Sequence, residues 1–163
     1  MKVRIIKYHD DGKEINRILK EMVLYRIYEN YIITGPIPTT NIKGIAYVYD
    51  RIKINDKGLD EYYVFGIEEE SNETMSKFHI HKSWKYEYEE PIKYSNEYPH
   101  SSNVFLLTPE GRKEYKLEGD KLIGKYQPEF TGSPVIIDEK TCVGMAIFVE
   151  GESLFVPNFE VIR

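Results

Sequence analysis

Short runs in which apolar and polar residues alternate, each closed by a turn signal, dominate this chain. The run at 2–8 (KVRIIKY) predicts a strand that Asp10-Asp11-Gly12 breaks. The spacing then changes. Ile15, Ile18, Leu19, Met22, Val23 and Ile27 fall at the i, i+3, i+4, i+7 positions of one helical face. With Asp11 as N-cap and Glu14 three residues on, this predicts an amphipathic helix from Lys13 to about Tyr28. Residues 31–34 predict a strand ended by Gly35-Pro36. Residues 44–54 and 60–68 predict a hairpin around Asn55-Asp56-Lys57-Gly58, and 68–73 an acidic, solvated loop. In 77–88, Phe78 and Ile80 share one strand face, with His79 and His81 on the other.

Beyond Pro91, a polar stretch gives way to predicted strands at 103–107, 113–118, 121–125, 134–137, 142–149 and 153–156. Pro109-Glu110-Gly111 and Gly119-Asp120 supply turns between them. Strands this short and this regularly spaced point to a barrel or sandwich. The class is mainly β, either one domain over 1–163 or two small β subdomains of approximately 1–90 and 91–163. An α+β domain with one antiparallel sheet is the alternative.

Composition narrows the function classes. A chain of 163 residues can bury a sizeable core without covalent staples. The 14 tyrosines favour pleated, half-buried surfaces, which reinforces the β reading. A formal net charge of −5 disfavours non-specific binding to nucleic acid or an anionic membrane. Cys142 is the single cysteine, so an intrachain disulfide and a four-cysteine zinc site are both excluded, and a cytoplasmic location is expected. No secretory signal and no membrane span is legible. No cofactor is expected.

The most informative stretch is 126–163, with Phe130-Thr131-Gly132-Ser133-Pro134-Val135 at its centre. A polar turn follows at Asp138-Glu139-Lys140-Thr141, then Val143-Gly144-Met145-Ala146-Ile147-Phe148, a turn at Gly151-Glu152, and Leu154-Phe155-Val156-Pro157. This order resembles the nucleophile segment and closing strands of trypsin-like (chymotrypsin-fold) serine proteases, Gly-x-Ser-Gly-Gly/Ser-Pro-Val/Leu followed by Val-x-Gly-Ile/Met. The resemblance implies a double β-barrel, here with the N-terminal helix added. It places Thr131 at the nucleophile position and Glu129 at the glycine that normally supplies an oxyanion-hole N–H. A carboxylate at that position opposes developing negative charge. Threonine nucleophiles elsewhere are N-terminal and use their own amine, whereas Thr131 is internal.

None of His9, His79, His81 and His100 matches the family's histidine segment. The resemblance therefore implies a protease homologue that has lost its activity and binds a peptide or partner protein. The binding residues implied are Glu129, Phe130, Gly132, Ser133, Phe148, Val149, Glu150 and Gly151, with strand addition along 148–151. An active serine/threonine-type peptidase using Thr131 is the alternative within the family.

Other chemistry is weaker. Glu129 with Asp138 and Lys140 is similar to the acid plus Asp-x-Lys set of metal-dependent nucleases, with Asp138 and Lys140 on one strand face. A charged turn explains the same residues more simply. His79 and His81 could face a metal from one strand, but alternating with Phe78 and Ile80 they read first as a solvent face. Cys142 reads as a buried apolar residue. Trp84, Tyr86 and Tyr88, interleaved with Lys82 and Lys85, could stack on bases but more often pin a strand to a core.

Overall fold

The structure is a computed structural model that describes residues 3–10, 13–23, 25–28, 31–35, 44–54, 56–58, 60–71, 75–80, 93–139 and 141–161. Its strands fall into two sheets. The first takes β1 (Val3–Asp10), β2 (Lys13–Val23), β3 (Tyr25–Tyr28), β4 (Tyr31–Thr34), β5 (Gly44–Ile54), β6 (Asp60–Ser71) and β7 (Ser76–Ile80). Their order is β2-β1-β5-β6-β7-β4-β3, antiparallel throughout. The two edge strands, β2 and β3, are separated in sequence by Leu24 alone. The opposite edges therefore meet, and the sheet must curl round on itself.

The helix expected over 13–28 is corrected to these two strands, β2 and β3. Pairing with β1 runs from Val3↔Val23 to Ile6↔Lys20, then resumes at Lys7↔Ile18. Leu19 is the extra residue of a bulge, at which the pairing register with β1 shifts. Near its end the strand is covered on both sides, and Met22 and Val23 are buried in succession. A bulge together with two-sided burial produces apolar pairs at 18/19 and 22/23, which a helical template also fits. Pairing with the preceding strand β1 settles the choice. Of the expected strand at 77–88, residues 76–80 form β7, while 81–92 lie outside the described residues. Asp11, the expected helix cap, also lies outside them.

The second sheet takes β8 (Lys93–Tyr94), β9 (Ser101–Thr108), β10 (Gly111–Glu118), β11 (Lys121–Ile123), β12 (Pro134–Ile136), β13 (Thr141–Val149) and β14 (Glu152–Pro157). Strands β9, β10, β11, β14, β13 and β12 form a closed six-membered ring, because β12 pairs with both β13 and β9. β8 lies parallel to the start of β13, at Thr141 and Cys142. The hairpin at Gly119-Asp120 is the one the turn residues predict, whereas the turn expected at Gly151-Glu152 lies one residue earlier, with Glu152 already in β14. Glu118↔Lys121 closes around Gly119 (φ 63°), and Val149↔Glu152 closes around Glu150 (φ 50°) and Gly151 (φ 80°). Two sheets, one of them closed, exclude the single-sheet alternative.

Alternation fills the ring. Val104, Leu106, Tyr115, Leu117, Phe148 and Phe155 are among the side chains that pack its interior. Gly144 is required there: a Cβ on it would meet the Phe155 ring at 2.6 and 2.8 Å, and also the Val156 carbonyl. The other face of β13 is buried as well. Cys142, Met145 and Ile147 pack with Ile136 and with Ile33 of β4, with Met75, just before β7, alongside. That apolar seam joins the two halves. Burying a side chain such as Ile33 in it contributes about 1.5–3 kcal/mol. A four-residue helix, Asn158–Val161, ends the described chain.

Candidate functional site

The bend from 127 to 134 sits where the two sheets meet. Pro128–Phe130 form a single 3₁₀ turn, in which Phe130 N–H donates to Gln127 O (3.0 Å) and Thr131 N–H to Pro128 O (3.2 Å). Gly132 follows with φ 89°. Its backbone lies against that of Gly35 so closely that a Cβ on Gly35 would stand 2.8 Å from Gly132 N. A glycine at each position allows two backbones from different sheets to touch. The chain then joins β13: Gly132 N–H donates to Ala146 O (2.7 Å), and Ala146 N–H to Ser133 O (2.9 Å).

Thr131 is buried, and its hydroxyl is engaged. Oγ1 accepts the Phe148 N–H at 2.6 Å and donates to the Phe148 carbonyl at 3.3 Å. Ser133 is buried too, its hydroxyl donating to Phe130 O at 2.6 Å. A nucleophile needs an exposed oxygen within hydrogen-bond reach of a base. His79 instead packs half-buried on β7, edge-on to Tyr31 at 5.2 Å, with the Lys77 ammonium 4.1 Å from the same ring. His100 is exposed against Tyr98. The side chain of His9 and all of His81 lie outside the described residues.

Glu129, expected at the oxyanion-hole glycine, has an ordinary backbone. Glu129 is exposed on the 3₁₀ turn, and Glu150 is the only non-glycine with positive φ among the described residues. Glu129 therefore lacks a left-handed, glycine-like backbone. The Thr131 N–H is bonded back to Pro128 O within the turn.

The nine site residues read from the sequence divide by exposure. Phe130, Thr131, Gly132, Ser133 and Phe148 are buried, with the Phe130 and Phe148 rings inside the barrel rather than facing a cleft. Glu129, Val149, Glu150 and Gly151 are exposed. Beside the exposed group a cleft of about 260 Å³ opens between β11 and β14, where only Lys121↔Leu154 pairs the two strands. Leu122, Ile123 and Tyr126 line one side, and Gly151, Glu152 and Leu154 the other. Ile123 (51% exposed), Val149 (44%) and Tyr126 (39%) present apolar surface around it.

Several residues that organise this region escaped the sequence reading. The Tyr115 hydroxyl lies 2.6 Å from Lys125 O and 2.8 Å from Gln127 Oε1, and its single proton, given to one or shared between the two, holds the segment entering the bend. Burial, and secondarily the Glu129 carboxylate, raise the pKa of this phenol. The buried Asn158 amide donates to Ser95 O (2.7 Å) and Cys142 O (2.9 Å), fastening the end of β8 to β13. Neither residue stands in a motif, so only its partners reveal its part.

The other candidates resolve locally. Asp138 Oδ1 accepts the Thr141 N–H at 2.7 Å and closes the β12–β13 turn, so Asp138 lies in a turn and not on a strand face. Lys140 lies outside the described residues. Among the described residues no three His, Cys, Asp or Glu side chains gather to hold a metal. Cys142 is buried, with Sγ 3.3 Å from Gly144 O. No helix of the described chain is long and apolar enough to cross a membrane.

No protein-family model matches this sequence, and no curated protein matches it. Solved structures do. The NSP4 proteinase from Equine Arteritis Virus superposes with a TM-score of 0.57 at 12% identity, covering 98% of this chain and 73% of that one. The MamO protease domain from Magnetospirillum magneticum superposes with a TM-score of 0.58 at 13% identity, covering 97% of this chain and 93% of that one. At such identity the likeness carries the fold alone, and with the closed ring, the curled first sheet and the bend at their junction, this chain has the trypsin-like double-barrel fold.

Proposed function

We propose that this trypsin-like domain acts by binding a peptide or partner protein and does not hydrolyse peptide bonds through Thr131. One observation carries the reading: the buried Thr131 hydroxyl is bonded to both backbone groups of Phe148. An oxygen held this way would have to break both bonds before attacking a carbonyl. The inward-bonded Thr131 N–H and the carboxylate of Glu129 support the same reading, because neither would stabilise an oxyanion. The recognition surface in this reading is the exposed set Glu129, Val149, Glu150 and Gly151, together with Ile123 and Tyr126 beside the cleft. Exposed apolar side chains around a concavity suit the side chains of a peptide or protein loop.

Two assays test it. A fluorophosphonate probe and a panel of fluorogenic peptides should give neither labelling nor cleavage with the full chain. Labelling that Thr131→Ala abolishes would overturn the non-hydrolytic reading. Selection from a displayed peptide library should enrich sequences whose binding Val149→Lys or Tyr126→Ala weakens. Binders indifferent to both substitutions would move the surface elsewhere.

A further inference from the structure

Backbone hydrogen bonds along β13 alternate between its two neighbours. Ala146 turns its N–H and C=O towards the bend, bonding Ser133 and Gly132. Val149↔Glu152 closes the two-residue hairpin and is therefore a hydrogen-bonded pair with β14, as is Ile147↔Leu154 two residues on, whereas Phe148↔Ser153 between them is a non-hydrogen-bonded pair. By that alternation Phe148 faces the same side as Ala146. It is the last residue on this edge, because the chain turns back at Glu150-Gly151. An extended chain prolonging the sheet beyond Thr131 would need the Phe148 N–H and C=O, and these are the two groups bonded to the Thr131 hydroxyl.

We propose that Thr131 is an internal strand cap: its hydroxyl fills the hydrogen-bonding positions of Phe148 and holds the outer edge of β13 shut against strand addition. A hydroxyl suits this task because one oxygen accepts from an N–H and donates to a C=O. Valine would fill the same volume and leave both groups unpaired, whereas serine would keep the bonds. Strand addition, the mode expected from the sequence for 148–151, is thereby closed at Phe148. A partner must be recognised through the side chains around the neighbouring cleft. The inference rests on the reading of this face as a recognition surface, and it names how that surface is restricted.

The test uses amide exchange and NMR shifts on the full chain, with acetyl-tetra-alanine-amide as a probe that offers backbone groups and no large side chains. In the wild type and in Thr131→Ser, the Phe148 amide should be protected and the probe should shift no resonance at Phe148 or Val149. In Thr131→Ala, exchange at Phe148 should rise by about tenfold or more relative to Ala146, and the probe should shift both residues. Retained protection in Thr131→Ala overturns the cap. If that variant does not fold, the wild type still decides: a Phe148 amide exchanging as freely as the Glu150 amide, or one shifted by the probe, overturns it. Mass spectrometry of the recovered probe keeps the two readings apart. A cleaved probe sinks the non-hydrolytic function, whereas an intact probe paired with wild-type Phe148 sinks only the cap.

Discussion

Replacing Gly132 by alanine tests the junction on which the whole site depends. Gly132 has φ 89°, where an L side chain is strained by about 1–2 kcal/mol. Its new methyl would also run into the Gly35 amide nitrogen, and would stand 2.9 Å from Gly35 Cα and 3.0 Å from the Met22 methyl. The Met22 methyl can rotate away, but the Gly35 backbone can yield only if the first sheet moves. Overpacking of that kind costs about 1–3 kcal/mol, so the two effects together cost about 2–5 kcal/mol. Gly35→Ala meets the same gap from the other side, with its Cβ 2.8 Å from Gly132 N and 3.1 Å from Thr131 C, but carries no left-handed φ strain. It should cost about 1–3 kcal/mol.

Urea unfolding of the wild type, both single variants and the double variant gives all four free energies. The same series by thermal melt should drop Tm by about 2–4 °C for each kcal/mol lost. Gly132→Ala should be the worse single change. The double variant should depart from additivity, because two methyls claim one space. Both single variants unfolding within about 0.5 kcal/mol of the wild type would refute the close backbone crossing, since surface substitutions typically fall in that range.

Three further outcomes follow from the second barrel. Gly144→Ala should destabilise by about 1–3 kcal/mol in urea unfolding, because its methyl would strike the Phe155 ring and the Val156 carbonyl. Tyr115→Phe should cost about 1 kcal/mol at neutral pH through loss of the bonds to Lys125 and Gln127. It should also flatten the alkaline limb of the stability profile. The folded state raises the phenol pKa, so its contribution is full below the unfolded value of about 10 and falls as pH rises through the folded value. Asn158→Ala should strand the Ser95 carbonyl, leave Cys142 O with the Ser95 N–H alone, and cost about 1–3 kcal/mol, with faster exchange of the Ser95 amide as the local readout.

The sequence by itself determined the strands whose signals are local. Gly119-Asp120 is a hairpin turn because a two-residue connection needs left-handed backbone, the second hairpin lies one residue before the Gly151-Glu152 turn read from the sequence, and the alternation of Tyr115 and Leu117 with charged residues in β10 marks the inner face of a barrel. The order of the Thr131-to-Val135 bend, the Gly144 strand and the closing strand also indicated the fold, through its resemblance to the closing segment of trypsin-like proteases. Residues 13–28 were not legible, because a bulge at Leu19 and burial on both sides of Met22-Val23 give a strand the apolar spacing of a helix. Only the tertiary structure decided which glycine faces Gly132, and that Tyr115 and Asn158 hold the surrounding segments. It alone decided that the Thr131 hydroxyl is bonded to Phe148. Those facts depend on contacts between residues far apart in the chain, and no local pattern of polarity or turn chemistry encodes which distant backbone a side chain will meet.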